Sequence, residues 1–238
     1  MGKKGYGSAF GEAQRTCYFY IDFLKRNFDR QINTLVIDAL DGIHVLPFAR
    51  RGINVDCYET NNILINGGII DGFKITGLLN KNKYFNLNDF VNIHNKNFYK
   101  NAVESKYDFV YVYRSLHLDR NKEVPIDKKI KKILTSVKDG GYVYILYHLA
   151  VKDNDYINYP KSQYLRPGEM SKYFDYRWKI LDNHERNKLT IHNAHPFNSI
   201  DHKHRVGYIF AQKRRYYKKK IYNYNFEVFY DGTDDMED

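Results

Sequence analysis

The chain has 238 residues, 43% hydrophobic and 28% charged, which is a globular composition long enough to bury one large core without staples. No uncharged run approaches the roughly 18 apolar residues of a membrane span, so a soluble protein is expected. Lys and Arg outnumber the acids 38 to 28, and the resulting charge of +10 suits polyanionic partners such as nucleic acid or nucleotides. An AT-rich genome would give the same enrichment in Lys, Asn, Ile and Tyr without selection for binding.

Met1-Gly2-Lys3-Lys4 has no apolar segment behind it, and Tyr6 stands where a myristoylation signal needs Ser or Thr. Cys17 and Cys57 are too few for a disulfide framework or a cysteine-based zinc site, so a reducing, cytoplasmic setting is expected.

Residues 1–32 read as a loop and an amphipathic helix, the latter from the spacing of apolar residues over Tyr18–Phe28. Asn33–Ile37 (NTLVI) is a continuously apolar strand ending in Asp38. A turn at Gly42, a helix through Arg51 and a second strand, Ile53–Tyr58, closing on Glu59, complete a βαβ unit of roughly 30 residues. A second such unit comprises a strand at Tyr107–Tyr113, a helix at Ile126–Val137, and a strand at Tyr142–Leu149 introduced by Gly140-Gly141. Strands buried on both faces and alternating with helices predict a mainly parallel sheet with helices on both sides. Arg166–Tyr173 reads as a helix, and Trp178–Leu181 and Val206–Gln212 as strands. With no crossover helix between them, those two should be antiparallel neighbours.

Between Glu59 and Asn97 the chain is longer than one helix and a loop require, so residues 66–83 read as an insertion, either a lid over a pocket or plain surface. Residues 214–238 form a tail, basic and aromatic first, then acidic. Tyr216, Tyr217, Tyr222 and Tyr224 interleave with Lys218–Lys220, an alternation that could stack bases while neutralising phosphates, or could be a frayed end. Five histidines, His184, His192, His195, His202 and His204, crowd one stretch. None has the spacing of a metal motif, so no metal is assigned and one substrate-facing histidine is the better reading.

In doubly wound sheets a ligand sits outside the carboxyl ends of the strands, where the strand order reverses. Asp38, Gly42, Glu59 and Asn97 all fall at predicted strand ends. A carboxylate at Glu59 could accept both hydroxyls of a ribose, each charge-assisted bond contributing roughly 1.5–3 kcal/mol. The reading without a ligand is a solvated strand-end acid.

Asp38-Ala39-Leu40-Asp41-Gly42-Ile43-His44 resembles the first motif of class I S-adenosylmethionine-dependent methyltransferases, matching it at Asp38 and Gly42, with Leu40 and His44 in place of two glycines. Asn54–Glu59 resembles the second strand with its ribose-binding acid. Asn95–Tyr99 lies where the family carries an acid near the adenine, here Asn97. Tyr107–Leu118 resembles the fourth strand and Val137–Leu146 the turn into the fifth. The ending, from Tyr164 to Lys213, is similar to that of tellurite-resistance methyltransferases, which act on metalloid or other small nucleophiles.

The resemblance implies a Rossmann-like, mainly parallel seven-stranded sheet over residues 33–213, with an antiparallel last strand. It implies S-adenosyl-L-methionine as cofactor, held by Asp38, Gly42, His44, Glu59, Asn97, Arg114 and Ser115. The acceptor, a small molecule or nucleotide, would enter past Tyr147 and Arg166, with His117 or His148 as general base. The alternative is a fold of this type that has lost turnover and binds nucleic acid or a protein partner, as Leu40 and His44 would suggest. The Asp/Asn-Pro-Pro-Tyr/Phe loop of amino-methylating DNA enzymes has no counterpart, since Arg114-Ser115-Leu116-His117 stands there.

Overall fold

A computed structural model describes residues 6–102, 104–152, 161–186, 188–192, 194–197, 202–218 and 229–231. Tyr222, Tyr224 and the acidic end of the tail lie outside the described residues, and of Tyr216, Tyr217, His192 and His202 only the backbone is described.

The first strand, β1 (Asn33–Ile37), has four consecutive buried residues, as a strand covered on both faces must. Val36 faces one core with Phe109 and Tyr111, while Leu35 and Ile37 face the other with Val110 and Val112, the alternation that the strand pleat imposes. Helix α1 (Arg15–Asn27) buries Cys17, Tyr20, Ile21 and Leu24 in the first core, which it shares with the short α2 (Val45–Ala49). A second long helix, Ile126–Ser136, presents Ile130 and Ile133 to the second core.

The chain continues as β2 (Asn54–Tyr58), α3 (Asn62–Asn66), the hairpin β3–β4 (Gly68–Ile70 and Phe73–Ile75), α4 (Leu78–Tyr84) and β5 (Val91–His94). Then come β6 (Tyr107–Tyr113), α5 (Ile126–Ser136), β7 (Val137–Leu149), β8 (Trp178–Glu185), β9 (Thr190–His192) and β10 (His202–Lys213). The main path of the sheet runs β5-β2-β1-β6-β7-β10-β8. Strands β5, β2, β1, β6 and β7 pair in parallel, and β10 pairs antiparallel with both β7 and β8. This is the expected Rossmann-like architecture with its antiparallel last strand, and its order reverses between β1 and β6. No helix among the described residues is long and apolar enough to cross a membrane.

Several boundaries differ from expectation. The helix expected at Arg166–Tyr173 is a 3-10 turn at Met170–Tyr173, because Gly168 takes a φ of 76° that interrupts any longer helix. Strand β7 begins at Val137 and contains Gly140 and Gly141. A Cβ on Gly141 would lie 2.9 to 3.0 Å from three backbone carbonyl oxygens, so the glycine permits close approach inside the strand. Strand β8 extends to Glu185, four residues beyond the apolar run that marked it, and is held there by backbone pairing with β10.

Candidate active site and cofactor crevice

At the reversal point the chain leaves β1 in a tight left-handed path: Asp38, Leu40 and Gly42 have φ values of 56°, 53° and 91°. Gly42 is required twice over, since a Cβ there would also meet Leu78 Cδ1 at 2.6 Å. Between them, Asp41 turns inward. Its carboxylate is fully buried and takes Lys81 Nζ of α4 at 2.7 Å, Ser8 Oγ at 2.7 Å and the Ala9 amide at 2.9 Å. One acid thereby ties the N-terminal segment and α4 to the turn. The hairpin β3–β4 packs beside it, as Ile70 and Ile75 form a small cluster with Leu64, against which Leu40, Ala9 and Phe10 rest.

Glu59, at the end of β2, is 1% exposed. Its Oε1 accepts the amides of Thr60 and Asn61 at 2.8 and 2.9 Å, and its Oε2 that of Leu40 at 2.9 Å. Across the crevice the guanidinium of Arg120 donates to both oxygens, at 2.6 and 3.2 Å. Burial pushes the Glu59 carboxyl up, against the opposing pull of Arg120. The same guanidinium places Nε 2.8 Å from Asp38 Oδ1. Asp38 Oδ2 accepts from Ser115 Oγ and, at 2.8 Å, from Asn121 Nδ2.

Asn97 caps the turn Phe98–Lys100 through its Oδ1, and its Nδ2 donates to Asn121 Oδ1 at 2.9 Å. Tyr99 Oη lies 2.7 Å from Ser115 Oγ. Thus Asp38, Glu59, Asn97 and Ser115 are brought together by one network. Its hub, Arg120-Asn121, was not singled out by the sequence. The available signal is that two buried strand-end acids demand a nearby cation, and that Arg120 stands two residues after Leu116-His117-Leu118.

Next to this network lies a cavity of 630 Å³, lined by the N-terminal segment (Ser8 to Gly11, Gln14), the β1 turn (Asp38, Leu40, Ile43, His44), the end of β6 (Tyr113, Arg114, His117, Leu118) and residues 194–197. His148 and His204 complete the wall. His117, His148 and His204 form a stack, with ring centroids 3.5 Å apart for the first pair and 4.1 Å for the second. Stacked faces do not converge their nitrogens on one point, and no group of three or more potential ligands among the described residues is arranged to hold a metal.

Burial, with Arg114 adding to it, holds His117 well below its usual pKa and takes His44 down to about 3. Lys129 of α5 is buried, and its Nζ donates to the carbonyl of Leu116, the residue before His117, at 2.5 Å and to Gln163 Oε1 at 2.6 Å. His44 lines the cavity with its ring against Tyr113, centroids 4.4 Å apart.

Two residues assigned to the acceptor path do not line this cavity. Tyr147 is fully buried under Gly207, where a Cβ would lie 2.5 to 2.7 Å from its ring, and its hydroxyl donates to Glu185. Arg166 is exposed at the surface. Of the crowded histidines, His195 and His204 reach the cavity, and the His184 ring lies against Tyr208. The N-terminal wall was invisible in the sequence, because Ser8-Ala9-Phe10 carries no periodic pattern.

The fold is that of the class I S-adenosylmethionine-dependent methyltransferases. Among solved structures, TehB from Haemophilus influenzae superposes with a TM-score of 0.62 at 18% identity, over 82% of this chain and 62% of that one, so the chain spans less than two thirds of TehB. A Burkholderia thailandensis 1,6-didemethyltoxoflavin-N1-methyltransferase, solved with its substrate and S-adenosylhomocysteine, gives 0.53 at 11% identity over 84% of this chain and 78% of that one. The [4+2]-cyclase SpnF gives 0.56 at 12% identity over 82% and 80%, so the same fold also carries other chemistry. No protein-family model matches the sequence, and neither does any curated protein.

Proposed function

We propose that this chain is an S-adenosylmethionine-dependent methyltransferase whose acceptor, a small molecule or nucleic-acid component, occupies the histidine-lined cavity. The observation that carries the reading is Glu59. Its two oxygens take two donors of one rigid group, the donor set that a ribose diol would supply, so the carboxylate at the end of β2 is aimed into the crevice. The residues fit the nucleoside end of the cofactor once the Arg120 side chain moves aside. Asp38, Asn97 and Ser115 belong to the hydrogen-bond network around Arg120, Gly42 shapes the turn beside it, and Asp38, His44 and Arg114 line the adjoining cavity, which supports their assignment to the cofactor.

S-adenosylmethionine supplies an electrophilic methyl group, transferred by in-line displacement. The chain's part is to hold the acceptor at attack distance and exclude water, and positioning alone accounts for much of the acceleration in such reactions. The N-terminal segment closes the cavity from above, held by Asp41. His117 and His148 would take the proton of an acceptor that arrives protonated. At neutral pH the buried His117 imidazole is uncharged and has an electron pair to offer, and negative charge on the acceptor would raise its proton affinity. Two buried, free thiols, Cys17 and Cys57, support a cytoplasmic setting.

A second reading, a scaffold that binds a partner and turns nothing over, is favoured by the Arg120 guanidinium standing at Glu59 and by Leu40 and His44 in the glycine turn. Calorimetry with S-adenosylhomocysteine separates the two. The enzyme reading expects binding that is lost in Glu59→Ala, and absence of binding at high micromolar ligand would leave only the scaffold.

A further inference from the structure

Arg120 belongs to the turn Asp119–Asn121 after β6. The backbone of that turn is fixed by side chains around it: Asn121 Nδ2 donates to Asp38 and to Ser115 O at 3.0 Å, and Asn97 Nδ2 donates to Arg120 O at 3.3 Å. The guanidinium is therefore delivered to Glu59 by an anchored turn, yet its side chain is 20% exposed and belongs to neither apolar core. In the closed state it neutralises two carboxylates at once. Without it, Asp38 and Glu59 would face each other across the crevice with no cation between them.

We propose that Arg120 is a built-in competitor of the cofactor: its guanidinium holds the ribose position closed, and loading exchanges its two N–H donors for two ribose hydroxyls. This rests on the methyltransferase reading above. An uncharged diol cannot replace the guanidinium's charge at Glu59, so opening costs free energy that the ligand's remaining contacts must supply. The apparent affinity is lowered by the fraction of molecules that are open, and a latch closed nine-tenths of the time weakens binding about tenfold. The Asp38 contact keeps Arg120 near the crevice mouth, so the latch recloses when the ligand leaves.

The test is calorimetric titration of the full chain with S-adenosylhomocysteine at pH 7.5, comparing wild type with Arg120→Ala and Arg120→Lys. Circular dichroism melting would verify that each is folded. Arg120→Ala should bind about tenfold more tightly, and Arg120→Lys should fall between, because an ammonium keeps the charge but not the two-pronged contact. Should Arg120→Ala fail to fold, the lysine variant decides alone. Variants that bind no more tightly than wild type would overturn the latch while leaving the methyltransferase reading in place. Failure of all three proteins to bind would overturn both.

Discussion

Lys81 and Asp41 form an ion pair in which both side chains are fully buried, with Nζ 2.7 Å from Oδ2. The pair joins the turn after β1 to α4, and through Ser8 and Ala9 to the segment that walls the cavity. Removing one partner leaves a charge with no water to solvate it. We expect Lys81→Met to lower stability by about 3–5 kcal/mol, by analogy with other broken buried pairs. The double variant Asp41→Asn/Lys81→Met should recover part of that loss. Urea unfolding of the three proteins checks this, and limited proteolysis should cut the N-terminal segment faster in the single variant. Equal stability of wild type and Lys81→Met would show the pair to be dispensable.

Gly42 provides the second prediction. Its φ of 91° and the 2.6 Å approach of Leu78 to any Cβ make Gly42→Ala strained in backbone and packing together. The expected cost is about 1–3 kcal/mol. Leu78→Ala in the same background should relieve the packing share while leaving the backbone share, so the double variant should be less than additively destabilised. Strict additivity, measured by chemical denaturation, would place the strain elsewhere.

Acid sensitivity follows from His44. Its pKa is lowered from 6.5 to about 3 in the folded protein, by burial first and Arg114 second. The unfolded chain therefore takes up a proton below pH 6.5 that the folded chain refuses, and stability falls with pH from about 6.5 down towards 3. At pH 5 this single group should cost about 2 kcal/mol relative to pH 7.5. His117, shifted in the same direction, adds to the loss. Replacing His44 by Gln should flatten the curve by about that amount, and an unaltered difference between the two pH values would exclude His44 as its source.

The surplus of basic residues yields a prediction about polyanions. If the tail contributes to binding, affinity for single-stranded RNA should fall steeply with salt, and removal of residues 214–238 should reduce the slope of log K against log salt. Filter binding at several ionic strengths measures this. An identical slope after truncation would assign the charge surplus to ordinary surface.

How much of this was legible depended on how local the cause was. NTLVI and YDFVYVY are apolar over their whole length because both faces are covered, so the central strands could be read to the residue. The antiparallel ending was equally legible, from the missing crossover helix before β10. Strand β8 was read short because residues beyond Leu181 are polar and exposed at the sheet edge, and only pairing with β10 keeps them extended. Asp38 and Glu59 could be placed at the crevice from their positions at strand ends. That one arginine would bridge them could not, since a loop side chain takes its place from neighbours 61 and 82 residues distant in sequence. That Tyr147 lies away from the cavity has a related cause. Strand alternation gives the face of the sheet, but Gly207 on the partner strand opens the space that the ring fills.

The position of β10 between β7 and β8 bears on how the protein is made. Among the described residues, strand β8 hydrogen-bonds to no strand of the main path except β10, which is synthesised after it. On the ribosome, residues 178–185 must wait for residues 202–213 to emerge and slide in beside β7, so the sheet is finished from within. A nascent chain halted before residue 202 would leave the edge of β7 bare, a ready template for pairing with another molecule.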